Sequence, residues 1–379
     1  MSTKCIKWLK KYNTKGPKLV FDLNRVKENY QSFKNNFINI KPYYAVKANP
    51  HEKVITLLNS LGSYFDCASI NEVEKCISLK VDPSKISFGN TIKKEIDIKA
   101  AYSIGVRLFA FDSEIELKKI EKNAEGSQVF CRIQVPNKGS EWPLSKKFGC
   151  SPQMAEKLLI DANSLKLKPV GISFHVGSQQ KSLESWEKAI NISSRVYKNF
   201  LKKGIPMNFL NIGGGFPTYY SKYKTDIKKY SQQILESINK NFGEHKPRNI
   251  ISEPGRFLVA DAGIIEAEII LITQKTFKKA RKWVYIDVGR YNGLAETEGE
   301  AIKYEIKASN DNRKCKYENF ILAGPSCDSH DIIYEKNPCY LPNNIKIGDK
   351  LRIFSTGAYT TVYNTHFNGL ALLEESYLD

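Results

Sequence analysis

Tyr43-Tyr44-Ala45-Val46-Lys47-Ala48-Asn49-Pro50 brings an apolar, strand-like run to an end on a single lysine. Burying an unpaired ammonium is costly; such a group escapes by lowering its pKa, by bonding covalently, or by reaching water along its own methylene stem. The last route makes Lys47 an ordinary strand-end lysine, and the others make it a chemical group. The choice depends on what the chain sets around it. Outward from Lys47, short β-branched runs alternate with longer amphipathic ones. Strands are predicted near 42–47, 63–69, 85–89, 106–112, 128–134, 169–175, 207–213 and 249–253, after a first helix over 23–37. Helical patterns such as Val54, Ile55, Leu57, Leu58 and Met154, Leu158, Leu159, Ala162 separate them. This α/β alternation has the strand count of a closed (β/α)8 barrel. A doubly wound open sheet competes, but no Gly-x-Gly-x-x-Gly turn follows the first strand.

After about Ala260 regular helices give way to strand-rich segments at 263–273, 282–288, 318–323 and 350–356. The expected organisation is a barrel over 23–260 and a C-terminal mainly-β domain over 261–379, to which Lys18-Leu19-Val20-Phe21 adds a strand from the first 22 residues. A chain of 379 residues can bury one large core and a smaller one.

Composition narrows the function classes. Met1 to Gly16 carries five lysines with no apolar segment behind them, and no later run reaches membrane-spanning length, so a cytoplasmic protein without a membrane partner is expected. The eight cysteines (5, 67, 76, 131, 150, 315, 327, 339) form no C-x-x-C pair, which suits reduced thiols rather than disulfides or a structural metal. The net charge of +18 raises the question of nucleic acid. Acidic residues interleave the lysines, as in Lys93-Lys94-Glu95, and no aromatic-basic motif of RNA-binding modules is present. A solvated lysine-rich surface is a better expectation than a nucleic-acid site, and no nucleic-acid partner is expected.

Barrel enzymes place their chemistry at the C-terminal ends of the strands. There the sequence sets Lys47, Asp66, Asn90, Asp112, Arg132, His175, the Gly213-Gly214-Gly215 run and Glu253. Taken singly, the glycines could form a tight loop, His175 could be a hydrogen-bonded strand-end histidine, and Arg256 could pair with a carboxylate. A merely structural barrel accounts for one or two of these residues and poorly for the ring. Together they suit pyridoxal phosphate. A lysine amine forms an imine with the cofactor aldehyde, a carboxylate such as Glu253 keeps the pyridine nitrogen protonated, and consecutive glycines let backbone N–H groups cradle a phosphate.

Seven segments then carry a family resemblance: Tyr44-Ala45-Val46-Lys47-Ala48-Asn49, Phe65-Asp66-Cys67-Ala68-Ser69, Ser173-Phe174-His175-Val176-Gly177-Ser178, Ile212-Gly213-Gly214-Gly215-Phe216-Pro217, Glu253-Pro254-Gly255-Arg256, Gly324-Pro325-Ser326-Cys327-Asp328 and Gly357-Ala358-Tyr359. In this order they resemble the basic amino acid decarboxylases of the alanine racemase-like fold (fold type III), and among these the bacterial-type ornithine decarboxylases. The likeness runs from about Lys18 to the C-terminus.

The resemblance implies that Lys47 holds pyridoxal 5'-phosphate, with His175 on the ring face and Glu253 at the ring nitrogen. Ser178, Gly213, Gly214, Gly215, Gly255, Arg256 and Tyr359 would hold the phosphate, with Asp66, Glu72, Arg132 and Lys147 as the supporting shell. Cys327 would place a proton on the carbon that loses carbon dioxide, a role open to a thiol because it can donate and be recharged near neutral pH. Cys327, Asp328 and Tyr291 would meet the substrate, a basic amino acid, in a homodimer whose β domain completes the partner's barrel site.

A non-catalytic regulatory homologue has no chemical use for both Lys47 and Cys327. Diaminopimelate decarboxylases usually carry glutamate where Asp328 stands, and simple racemases lack the Gly-Pro-x-Cys-Asp segment. Lysine or diaminopimelate decarboxylation and a non-catalytic regulatory homologue stay as the alternatives to ornithine decarboxylation. Position 288, acidic in eukaryotic-type ornithine decarboxylases and in related viral arginine decarboxylases, is valine here, so ornithine is expected to lead with lysine accepted more slowly.

Overall fold

Ile40–Ala45, Tyr64–Cys67, Ile86–Phe88, Leu108–Phe111, Gln128–Arg132, Lys168–Ser173, Phe209–Asn211 and Asn249–Ser252 pair in parallel, each with the next and the last with the first. They close the eight-stranded barrel that the alternation in the sequence predicts. The structure, a computed structural model, describes residues 2–12, 15–142, 147–205, 207–220, 225–276, 281–309 and 315–379. The chain divides into two compact units, one of residues 27–217 and 226–255 and the other of 1–26, 218–225 and 256–379.

Side chains of alternate strand residues fill the barrel rather than leave a pore. Tyr43, Ala110, Phe130, Phe209 and Ile251 form one buried cluster, with Tyr43 stacked on Tyr64 at 4.8 Å and Phe130 against Phe209 at 5.2 Å between ring centroids. Two helix starts follow directly on strand ends because small hydroxyl residues stand there: Ser69 and Ser113 accept the N–H of Glu72 and Glu116 and cap the helices Ile70–Ser78 and Glu114–Asn123. Ser151, after a longer connection, accepts the Met154 N–H and caps Pro152–Ser164.

One buried ion pair ties two strand ends together. Lys93 Nζ lies 2.9 Å from Glu116 Oε1 and donates to the carbonyls of Asn90 (2.8 Å) and Ala110 (2.6 Å). Burial pushes the Lys93 amine down to about 8, with Glu116 opposing the shift.

In the other unit, the sheet runs in the order Ile306–Ala308, Lys350–Phe354, Gly263–Thr273, Lys282–Ile286, Tyr317–Ala323, Ile332–Pro342. Lys18–Asp22 joins it antiparallel to Gly263–Thr273, and Glu374–Leu378 pairs in parallel with Lys18–Asp22. Three of these strands, 306–308, 332–342 and 374–378, are absent from the sequence reading.

Candidate active site

The strand expected over 42–47 stops at Ala45, and Val46–Ala48 turn as a short 3-10 segment. Tyr44 pins that turn by donating its hydroxyl to the Asn49 carbonyl at 2.8 Å, while Asn49 N–H donates to Val46 O at 3.2 Å. Val46 and Ala48 are buried and Lys47 is exposed. The turn therefore takes Lys47 off the strand ladder and presents its amine.

Charges from other strand ends act on one another around that amine. Asp66, buried at the end of its strand, is raised well above the ordinary carboxylate value, first by burial and then by Glu253, against the pull of Lys47 and Arg132. Glu72 accepts the Ala68 N–H at 2.6 Å, and burial raises it as well. Burial pushes the Arg132 guanidinium down, while Glu253, Asp112 and Asp66 hold it up. His175 is held well below its usual value by burial first, then by the Arg132 and Lys47 charges. Its Nδ1 accepts the Gly177 N–H at 3.0 Å, so the proton of the neutral ring sits on Nε2.

Asn211 organises the far side of this cluster. Its Nδ2 donates to Glu253 Oε1 at 2.5 Å and its Oδ1 accepts the Gly213 N–H at 2.8 Å, while Glu253 N–H donates to Gly213 O at 2.9 Å. The same side chain thus aims the carboxylate and fixes the start of the glycine run. A Cβ on Gly214 would stand 2.6 Å from the Glu253 carbonyl and 3.2 Å from His175 Nε2, so glycine is required by close approach. Gly215 O accepts the Gln180 N–H at 2.9 Å, which ties the run to the short strand Ser178–Gln180. Gly89 has a similar duty, since a Cβ there would collide with Asp66 Oδ1.

Two members of the predicted ring make their hydrogen bonds to loops. Asn90 Nδ2 donates to Ala68 O at 3.1 Å, and Asp112 Oδ2 accepts the Gly149 N–H at 2.8 Å. Lys147 and Arg132 approach the same Phe148 ring, at 5.2 and 5.0 Å from its centroid. Gly255 packs closely on Ala45 and Ala48, where an added Cβ would lie 3.1 Å from each of theirs.

In the β unit, Arg256 is buried and its charge is paired. NH1 and NH2 meet Glu296 Oε2 and Oε1 at 2.6 and 2.5 Å, NH1 donates to Tyr220 Oη at 2.9 Å, and the Tyr359 ring centroid is 4.7 Å away. Tyr359 sits at φ +55, a left-handed conformation that a tyrosine adopts only under constraint. Also in this unit, the Tyr291 hydroxyl donates to Asp328 Oδ2 at 2.6 Å and the His330 N–H to Oδ1 at 2.8 Å, and these bonds hold the Asp328 carboxyl below its usual range. Cys327, next in the chain, is exposed.

The model of the family described as "pyridoxal-dependent decarboxylase, pyridoxal binding domain" matches residues 23–260. This chain belongs to that family. The lysine/ornithine decarboxylase of Selenomonas ruminantium is 34% identical over 361 residues, covering 94% of this chain and 88% of the relative. The lysine/ornithine decarboxylase of Vibrio vulnificus complexed with putrescine is similar with a TM-score of 0.86 at 28% identity, covering 100% of this chain and 99% of that one. The arginine decarboxylase of Paramecium bursaria Chlorella virus bound to agmatine gives a TM-score of 0.89 at 28% identity and 98% coverage of both. The decarboxylase is thus a carbon–carbon lyase of the pyridoxal-dependent basic amino acid group, with the fold that its seven motifs imply.

Its residues fit the cofactor. Among the described residues, Asp66 Oδ1 is a buried polar atom with no protein partner, the glycine run turns with positive φ at Gly213 and Gly215 and packs too closely on neighbouring backbone to carry side chains, and Glu253 is aimed by Asn211. Asn211, Glu296 and Gly89 are missed by sequence reasoning. Asn211 lies inside the strand expected over 207–213 and ends that strand in the structure, and a polar residue within an apolar run is the signal that could have marked it.

The neutral His175 gives a testable pH dependence. Below about pH 6.5 the unfolded imidazole takes up a proton that the folded one refuses, so the decarboxylase loses stability as pH falls. In urea unfolding of the apoprotein between pH 7 and 5, His175→Phe should lose part of that decline; an unchanged pH profile would contradict a buried neutral ring.

Proposed function

We propose that the decarboxylase converts L-ornithine to putrescine, for polyamine biosynthesis, and accepts L-lysine more slowly. The observation that carries this reading is Asp328, a carboxylate kept ionised by Tyr291 beside an exposed cysteine, while position 288 is a buried valine that cannot hold a cation. One carboxylate suits a compact ammonium. A guanidinium asks for a planar, bidentate partner, so arginine should be poor. One extra methylene in a pocket is worth only about 1–3 kcal/mol of discrimination, which leaves room for lysine. The net charge of +18 opposes a cationic substrate at long range, so its capture has to be local.

In this reading Lys47 carries the cofactor, Glu253 keeps the ring nitrogen protonated and neutral His175 lies on the ring face. Asp66 and Arg132 hold the charge balance around the lysine. Ser178, Gly213, Gly214, Gly215, Gly255, Arg256 and Tyr359 hold the phosphate, Arg256 being oriented by its fork to Glu296. The cofactor supplies a sink for the electron pair left by departing carbon dioxide. Cys327 returns a proton to that carbon. The chain works as a homodimer in which Cys327 and Asp328 of one subunit serve the partner's barrel, and its place is the cytoplasm; no helix among the described residues is long and apolar enough to cross a membrane.

Steady-state kinetics test the substrate reading. Asp328→Ala should raise KM for ornithine and lysine by roughly tenfold, the effect of removing a charged hydrogen-bond partner; unchanged constants, or efficient turnover of arginine alone, would sink it. Shared sites have their own check. Lys47→Ala protein, which is inactive, and Cys327→Ala protein, whose activity is strongly reduced but measurable, should together gain activity beyond that of either once mixed and allowed to exchange subunits, and no gain after proven exchange would put both residues in one chain's site.

A further inference from the structure

The loop that carries Cys327 is anchored at both ends. Buried Asp331 accepts the N–H of Arg290 at 2.8 Å and of Ser326 at 3.1 Å, and its own N–H donates to Asp328 O at 3.0 Å. Asp328 is fixed by Tyr291 and by the His330 amide. Between these anchors, the Cys327 N–H donates to the side-chain Oδ1 of Asn368 at 3.0 Å, a residue 41 positions further along the chain.

Asn368 is itself held in place. It lies at φ +56, a left-handed conformation that asparagine tolerates and most residues do not. Its neighbour Phe367 packs on Tyr291 with ring centroids 4.4 Å apart, and the Tyr291 carbonyl accepts the Thr365 N–H at 3.0 Å and its hydroxyl at 2.7 Å. Cys327, Asp328, Tyr291, Phe367 and Asn368 therefore form a closed circuit of bonds and packing. An exposed side chain takes its direction from its backbone. The peptide at Cys327 is oriented by this one side-chain acceptor, so the circuit sets where the thiol points.

We propose that Asn368 is a positioning residue that aims the Cys327 thiol for proton delivery. It rests on the reading of Cys327 as the proton donor, and adds to it a residue that neither titrates nor touches substrate. Each carbon dioxide released leaves one electron pair that must meet one proton. Delivered to the substrate carbon, that proton gives one amine. Delivered to the cofactor instead, it gives, after addition of one water, an aldehyde and the aminated cofactor. A misaimed thiol therefore lowers the amine formed per carbon dioxide.

The test uses holoenzyme of the wild type, Asn368→Gly, Asn368→Asp, Cys327→Ala and the Asn368→Gly, Cys327→Ala double variant. Glycine accepts the left-handed backbone but removes the acceptor, whereas aspartate keeps it. Asn368→Gly should lower kcat about fivefold to tenfold, the effect of one lost hydrogen bond, with KM little changed. It should also lower the amine-to-carbon-dioxide ratio and change the rate at which iodoacetamide alkylates Cys327, with the unfolding midpoint unmoved. Asn368→Asp should restore all three, and the double variant should match Cys327→Ala alone. Wild-type behaviour of Asn368→Gly, a loss of unfolding midpoint without a change in product ratio, or an effect that persists in the Cys327→Ala background would each overturn the assignment. Full activity of Cys327→Ala would instead remove the donor reading on which it rests.

Discussion

Asp66 is a carboxyl group taken out of water at the end of a barrel strand, where burial and then Glu253 raise it well above the ordinary carboxylate value and Lys47 and Arg132 pull the other way from other strands. Buried charge of one sign is tolerable only where the opposite sign is built in beside it. A closed parallel barrel meets that requirement because all its strands end at the same rim, so residues far apart in sequence share one electrostatic site. The demand propagates outward. Gly89 must lack a side chain so that Asp66 can stand where it does, and Asn211 must aim Glu253 and start the glycine run at the same time.

Much of this is legible in the sequence because strand ends are legible. The runs before Lys47, Asp66, Arg132, His175 and Glu253 are short, apolar and regularly spaced, so the residue ending each of them can be named without a structure. What stays hidden are partners set by distance in the chain. Asn211 reaches Glu253 across 42 positions and Arg256 reaches Glu296 across 40, and neither pair leaves a periodic trace. The bland reading of Arg256, pairing with a carboxylate, describes its contacts. Asn90 and Asp112 stand at strand ends as expected, yet their bonds brace loops.

The β unit is harder to read for a physical reason. Ile332–Pro342 carries Glu335, Lys336, Asn337 and Pro338 in its middle and pairs with Tyr317–Ala323 through register shifts, so its apolar residues do not alternate cleanly. Glu374–Leu378 opens on two glutamates and owes its strand form to pairing with Lys18–Asp22. Such strands are specified by their neighbours, where the barrel strands are specified by their own composition.

The identity of the lysine that carries the cofactor decides the roles of all the residues around it. Borohydride reduction of the holoprotein, followed by digestion and mass spectrometry, fixes the pyridoxyl group to that lysine and reads its position. The pyridoxyl mass on the peptide containing Lys47 is the predicted result. The same mass on a peptide bearing a different lysine, with Lys47 unmodified, would contradict the site described for this decarboxylase.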